Sequence, residues 1–191
     1  SEVDRLMPVF NDVSSMLISQ RLNIRLVIVV APAVEHIVVE NLQRWGNNII
    51  VVTKDDLSSN DFQKLKRVVF ASCDIALAAS GTVSLELAST ETPTVIAYDM
   101  GFLSRLVFRL LVRVKSVNLV NFVSQQHTIP EFIGSNCKPD KIFQALVNQL
   151  EDPIGQKTAM RKSLDLLKVG GENSGTVAAK SVIDFLELRK I

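Results

Sequence analysis

Runs of consecutive apolar residues, separated by stretches of helical periodicity, constrain the fold of this chain more than any other feature. The first run, residues 26–30, reads Leu-Val-Ile-Val-Val, and similar runs occupy residues 49–53, 75–79 and 94–98. A strand without polar alternation is typical of a sheet that helices cover on both faces. Strands that alternate with helices at this spacing indicate a parallel, doubly wound sheet. The sequence therefore predicts an α/β fold.

Apolar residues three and four positions apart predict the helices between these strands. The first helix covers about residues 2–20, and the second begins at Pro32 and ends near Trp45. Further helices are predicted over residues 62–71 and 82–89, after Pro139, after Pro153 and from Ser174. In the last third, residues 117–122 are predicted as a short strand and loop, and residues 130–133 as the start of a short helix.

The strand at residues 75–79 ends in a Ser80-Gly81-Thr82 turn that opens directly into the next helix. A helix start offers unpaired N–H groups to an anion, and a glycine lets a ligand approach the backbone closely. Glu86 lies one turn beyond Thr82 on the same helix face, where it could accept hydrogen bonds from sugar hydroxyls. This predicts a cradle for a diphosphate and a ribose. The alternative is a capped turn followed by an ordinary solvated glutamate.

Composition places limits on the classes of protein that remain. The chain has 191 residues, a net charge of +1 and 47% hydrophobic residues, which fits one domain with a sizeable core. These values exclude a disordered chain and give no nucleic-acid signature. Cys73 and Cys137 are expected to be reduced thiols in the cytoplasm. Because the chain opens with Ser1 inside a helical pattern, we expect it to be part of a longer protein.

Residues 102–115 form a predicted helix that carries basic residues and no acidic residue. Arg105, Arg109 and Arg113 recur every fourth position, and Phe102 and Phe108 lie among them. Basic and apolar residues mixed on one face suit an anionic membrane surface or a lipid phosphate. The alternative is that the apolar residues pack on a domain outside this chain.

The sequence offers no convincing general base and no metal site. His36 lies on a helix with an ordinary apolar stripe, and His127 lies in a loop. Asp55 and Asp56 are adjacent acids, but no histidine, cysteine or further acid accompanies them. We therefore expect no metal and no cofactor, and the catalytic base stays unknown.

The order and spacing of several motifs resemble the lipid-A-disaccharide synthase family. The opening residues 1–10 are similar to the helix after that family's Gly-Ser-Arg loop. The other motifs are residues 79–86, Ala-Ser-Gly-Thr-Val-Ser-Leu-Glu, then 93–98, 117–121, 130–132 and 137–139. The resemblance implies an inverting glycosyltransferase of the GT-B architecture, which has two Rossmann-like domains around a cleft. It implies that residues 1–191 are the C-terminal, nucleotide-sugar-binding domain, a Rossmann-like three-layer domain, and that an N-terminal acceptor domain lies outside this chain.

The resemblance also implies roles for individual residues. Diphosphate contact falls to Ser80, Gly81 and Thr82, and ribose contact falls to Glu86. Asn121 and Glu131 match recurring family positions in the cleft. Gln125-Gln126-His127 departs from the basic segment of many relatives, so a phosphate contact there is not expected.

The implied reaction joins UDP-2,3-diacylglucosamine to 2,3-diacylglucosamine 1-phosphate and releases UDP. The implied location is the cytoplasm, peripheral on the inner membrane, with the base on the N-terminal domain. Residues 173–190 would form the helix that crosses back onto that domain or onto a partner subunit in a possible homodimer. Two alternatives remain. One is another nucleotide-sugar enzyme, a UDP-N-acetylglucosamine 2-epimerase or the related peptidoglycan transferase, and the other is a non-catalytic, flavodoxin-like interaction module.

Overall fold

A computed structural model describes residues 2–20, 23–45, 49–99, 116–167 and 174–188. The predicted α/β class is confirmed. The strands are β1 (Leu26–Val29), β2 (Ile49–Val52), β3 (Ala76–Ala79), β4 (Thr94–Tyr98) and β5 (Glu131–Ile133). The helices are α1 (Glu2–Ser19), α2 (Glu35–Leu42), α3 (Ser59–Ala71), α4 (Val83–Ser89), α5 (Leu119–Ser124), α6 (Pro139–Glu151), α7 (Ile154–Leu167) and α8 (Ser174–Leu188).

All described strand pairs are parallel, as predicted. β1 pairs with β2 in one two-stranded ladder. β4 lies between β3 and β5 in a separate three-stranded sheet. In this sheet Ala79 pairs with Ala97, and Ala97 pairs with Phe132. Because parallel strands end at the same edge, the residues that follow β3 and β4 meet at one side of this sheet.

β4 is the centre of the fold because both of its faces are covered. Val95, Ile96 and Ala97 are each 0% exposed. Val95 and Ala97 belong to a core cluster with residues of α1 and α6, whereas Ile96 belongs to one with residues of α4, α5 and α7. Since successive side chains of a strand point to opposite faces, helices cover both sides of this sheet. The domain is therefore three-layered, as predicted.

A third core cluster covers one side of the β1–β2 ladder. It contains Met7 of α1, Val38 of α2, and Val30 and Trp45 of the flanking loops. Strand β2 is less well covered, with Ile50 45% exposed and Val51 39% exposed.

Gln156 fastens α7 to the beginning of β4. Its Oε1 accepts a hydrogen bond from the Thr94 N–H at 2.7 Å, and its Nε2 donates to the Thr94 carbonyl at 2.8 Å. Gln156 is only 2% exposed. Its side chain gives the Thr94 N–H and carbonyl the hydrogen bonds that the backbone of a neighbouring strand would otherwise supply. Ser163, two turns further along α7, donates to the Val120 carbonyl at 2.9 Å.

Two local predictions for the last third of the chain were wrong. Residues 117–122, predicted as a strand and loop, contain the start of α5, because the Asn118 side chain accepts a hydrogen bond from the Val120 N–H and caps the helix. Residues 130–133, predicted to begin a helix, lead into β5, where the Pro130 carbonyl accepts from the Ile96 N–H. Pairing with β4, on the side opposite β3, thus accompanies the extended conformation of residues 131–133.

None of the helices in the described ranges is both long enough and apolar enough to cross a membrane. In α8, all the side chains that the structure describes are exposed. The large apolar ones are Val177, Val182, Ile183, Phe185 and Leu186.

Candidate functional site

The Ser80-Gly81-Thr82 turn lies at the carboxyl end of β3, the edge at which doubly wound sheets bind ligands. Gly81 has φ +153°, a backbone conformation that is essentially confined to glycine. A Cβ built on Gly81 meets no atom of the described residues within 4 Å, so this part of the structure leaves the space outside the turn open. Within the described residues, the N–H groups of Gly81 and Thr82 donate no backbone hydrogen bond. The turn therefore presents two amides to an approachable surface.

The hydroxyls around the turn do not cap α4, although the sequence allowed it. Thr82 occupies the N-cap position without a side-chain cap and is exposed. Ser84 donates to the Gly81 carbonyl at 2.9 Å, which closes the turn from inside. Helix α4 is only seven residues long.

Ser80 connects the turn to the segment that precedes α5. Its Oγ donates to the Val117 carbonyl at 3.5 Å, a long hydrogen bond. The Val117 N–H in turn donates to Glu131 Oε2 at 2.8 Å. These hydrogen bonds hold residues 116–118 beside the turn at the carboxyl edge. The sequence did not predict that this segment lies next to the turn.

Asn121 and Glu131 meet directly. Asn121 is 2% exposed; its Nδ2 donates to Glu131 Oε1 at 2.7 Å and to the Ile129 carbonyl at 2.8 Å, and its Oδ1 accepts from the Ile129 N–H at 3.0 Å. The Ser116 hydroxyl also donates to Glu131 Oε1. Both Glu131 oxygens are thus engaged, and the two residues frame the segment that carries Val117. Their predicted contact with a ligand stays a prediction.

Asn118 is a buried residue beside this framework that sequence reasoning did not single out. It is 2% exposed and its Oδ1 caps α5, but its Nδ2 has no hydrogen-bond partner among the described residues. An asparagine just before an apolar run is a recognised helix-start signal and could have revealed the cap.

Glu86 is engaged by a residue of the neighbouring helix. Its Oε2 lies 2.5 Å from Nζ of Lys66, which α3 contributes. Glu86 also lines a cavity of about 210 Å³ between α3 and α4. The other lining residues are Gln63, Arg67, Phe70 and Ser89.

The remaining candidates lie apart from this cluster of contacts. His36 lines a separate cavity on α2, His127 is exposed in the loop before β5, and Asp55 and Asp56 are exposed. In the described ranges, no group of three or more His, Cys, Asp or Glu residues could hold a metal ion. The predicted membrane contacts lie outside the described residues; they are Phe102, Arg105, Phe108, Arg109 and Arg113.

Cys73 lies just before β3, and its side chain is half-buried. Burial, with the negative charge of Asp74 as a smaller cause, raises the pKa of the Cys73 thiol above its ordinary value. Its Sγ donates to the Val69 carbonyl at 3.2 Å. A half-buried thiol with a raised pKa is a poor nucleophile at neutral pH, which argues against a catalytic role.

A parallel sheet with helices on both faces defines a three-layered, Rossmann-like α/β domain, and the Ser80-Gly81-Thr82 turn lies at the edge where such domains bind ligands. A family model described as lipid-A-disaccharide synthetase matches residues 1–182. The chain therefore belongs to the lipid-A-disaccharide synthetase family, which confirms the resemblance that the motifs indicated.

Individual relatives agree with the family model. The lipid-A-disaccharide synthase of Ruegeria pomeroyi is 38% identical over 97% of this chain and 46% of that protein. That of Paramagnetospirillum magneticum is 32% identical over 100% of this chain and 48% of that protein. That of Rhodospirillum centenum is 31% identical over 100% of this chain and 46% of that protein. The chain spans about half the length of these curated relatives.

Proposed function

We propose that this chain is the nucleotide-sugar-binding half of a lipid-A-disaccharide synthase. The proposed reaction joins UDP-2,3-diacylglucosamine to 2,3-diacylglucosamine 1-phosphate and releases UDP. The observation that carries the proposal is the match of the family model to residues 1–182, a stretch that includes the open turn after β3. The Ruegeria relative extends well beyond the matched region, which supports a second, N-terminal domain that completes the enzyme.

In this proposal the diphosphate of the donor lies against Ser80, Gly81 and Thr82. Two observations on the described residues support this placement. The space outside Gly81 is open, and the N–H groups of Gly81 and Thr82 have no backbone acceptor. Negative charge develops on the departing UDP during transfer. Fixed amides that already point at that charge stabilise the transition state without reorganisation.

Glu86 would accept hydrogen bonds from the ribose hydroxyls. A carboxylate has two acceptor oxygens, and Lys66 engages one of them. Asn121 and Glu131 would border the cleft and act by holding Val117 against Ser80. No described residue has the surroundings of a general base, so we place the base that deprotonates the acceptor hydroxyl on the N-terminal domain.

Two further surfaces belong to the proposal. The exposed apolar residues of α8 support its assignment, with residues 173–190, as the helix that packs on the N-terminal domain or on a second copy in a homodimer. The basic residues 105, 109 and 113 would hold the enzyme on the anionic cytoplasmic face of the inner membrane. Exchange of all three arginines for glutamate should abolish binding to anionic vesicles; unchanged binding would refute the membrane assignment.

The activity is tested on the full-length protein. UDP-2,3-diacylglucosamine and radiolabelled 2,3-diacylglucosamine 1-phosphate are supplied together, and the disaccharide product is separated by thin-layer chromatography. We expect product formation that requires both substrates. A Glu86→Ala variant should raise KM for the donor, while KM for the acceptor stays unchanged. Absence of product with both pure substrates would contradict the proposed reaction.

A further inference from the structure

Lys66 and Glu86 form an ion pair between two helices that differs from its neighbours in burial. The Nζ to Oε2 distance is 2.5 Å, and the two side chains are 15% and 37% exposed. In the described part of the chain, the pair of Lys64 with Asp61 has exposures of 67% and 55%. Exposed pairs of that kind contribute little to stability. Lys66 is instead held largely out of water with its ammonium group on Glu86.

This contact fixes one carboxylate oxygen and leaves the other one available. Within the described residues, Glu86 Oε1 has no hydrogen-bond partner, whereas Oε2 is engaged by Lys66. An ion pair this close, with Lys66 only 15% exposed, limits the orientations that the Glu86 carboxylate can adopt. The Glu86 carboxylate lies at the border of the α3–α4 cavity, and Lys66 is the described residue that forms an ion pair with it.

We propose that Lys66 is a positioning residue for the nucleotide site: it orients the Glu86 carboxylate so that Oε1 accepts hydrogen bonds from the ribose hydroxyls. The inference rests on the proposed function, because it presumes that a nucleoside diphosphate binds at this edge. Lys66 itself touches no ligand. It acts across the α3–α4 boundary, and its effect is confined to ligands that carry ribose hydroxyls.

The test compares two ligands on the full-length protein by calorimetry. One is UDP, and the other is 2′,3′-dideoxyuridine 5′-diphosphate, which offers Glu86 no ribose hydroxyl. The wild-type protein should bind UDP more tightly, and Lys66→Met should reduce that preference about fivefold while affinity for the dideoxy ligand stays the same. Both ligands are measured on one preparation, so a loss of folded protein cancels in the ratio.

Three more variants complete the design. Lys66→Arg should restore most of the preference, because the positive charge and a donor remain. Lys64→Met removes the exposed ion pair two residues away on the same helix and should leave the preference at the wild-type value. Glu86→Ala should abolish the preference, and adding Lys66→Met to it should change nothing further, because residues that act through one contact are not additive.

The outcomes separate this inference from the function on which it rests. If the wild type shows no preference for UDP and Glu86→Ala has no effect, the ribose assignment and the role of Lys66 both fall. If Glu86→Ala abolishes the preference but Lys66→Met retains it, the ribose assignment stands and the inference about Lys66 is overturned. An equal loss of affinity for both ligands in Lys66→Met would also overturn it, because that pattern indicates a merely structural pair.

Discussion

The Asn121 side-chain amide and the Glu131 carboxylate lie 2.7 Å apart and join α5 to the beginning of β5. Glu131 in turn holds the N–H of Val117, whose carbonyl accepts from Ser80 in the turn after β3. A chain of hydrogen bonds therefore runs from the candidate phosphate turn to a segment about forty residues later in the sequence.

Exchange of Asn121 for alanine should destabilise the protein substantially. It removes three hydrogen bonds in a site that is 2% exposed and leaves the Ile129 N–H and carbonyl unsatisfied. We expect the free energy of unfolding to fall by about 3 kcal/mol in urea titrations. Asn148→Ala is the control, because that amide is exposed and bonds only an exposed glutamine. Equal midpoints for the two variants would show that the Asn121 contacts are unimportant.

Exchange of Gln156 for leucine should loosen α7 from the central strand. The variant keeps a similar volume but leaves the buried Thr94 N–H and carbonyl without their side-chain partners. The expected loss in the free energy of unfolding is about 2 kcal/mol or more, measured by chemical denaturation. Gln144→Leu alters an exposed glutamine of α6 and should cost much less. Equal unfolding midpoints for the two leucine variants would contradict the role given to Gln156.

Alanine should have opposite effects at two glycines that both have room for a Cβ. At Gly81 the methyl group meets no atom, but φ +153° is strained for alanine, so we expect a loss of about 1–3 kcal/mol and weaker binding of UDP. At Gly155, in the first turn of α7, alanine should be neutral or stabilise by up to about 1 kcal/mol. Thermal unfolding of both variants measures the sign. A neutral result at Gly81 would show that the turn tolerates other conformations.

The rate of alkylation of Cys73 should be low at neutral pH, and it should increase only at a higher pH than the rate for an ordinary cysteine. Only the thiolate reacts, and a raised pKa means less thiolate at any given pH. The iodoacetamide rate at Cys73, followed by peptide mass spectrometry, should therefore reach half its maximum at a higher pH than the rate for free cysteine. Cys73→Ser identifies the signal of the remaining Cys137. A midpoint at or below that of free cysteine would contradict the burial of this thiol.

The regular part of the fold could be predicted because local pattern and tertiary environment agree there. The apolar runs at 26–30 and 94–98 have no polar face, so they have few alternatives to a covered strand. The prediction for residues 117–122 failed because a short apolar stretch interrupted by two asparagines suits a strand and a short helix about equally. In the folded chain this segment is helical, and Asn121 forms hydrogen bonds with Ile129 and Glu131, which lie eight and ten residues further along the sequence.

The partners of the candidate site could not be predicted for the same reason. The sequence places Glu86 one turn after Thr82, but the contact with Lys66 depends on how α3 and α4 pack side by side. Gln156 likewise reads as a solvated helix residue until its backbone partners on β4 are known. Periodicity identifies which face of a helix is buried, but not which polar group the neighbouring element presents to it.

The proposed function requires that UDP binds at the turn after β3. The most direct measurement is a titration of the full-length protein, labelled with ¹⁵N-glycine, with UDP while the amide shifts are followed by NMR. We predict saturable shifts of the Gly81 amide, with weaker binding in Glu86→Ala. The Gly155 amide should not shift, because it adjoins Gln156 beside the beginning of β4, at the opposite edge of the sheet. Saturable binding of UDP that leaves the Gly81 amide unmoved, or no binding at millimolar UDP, would contradict the account.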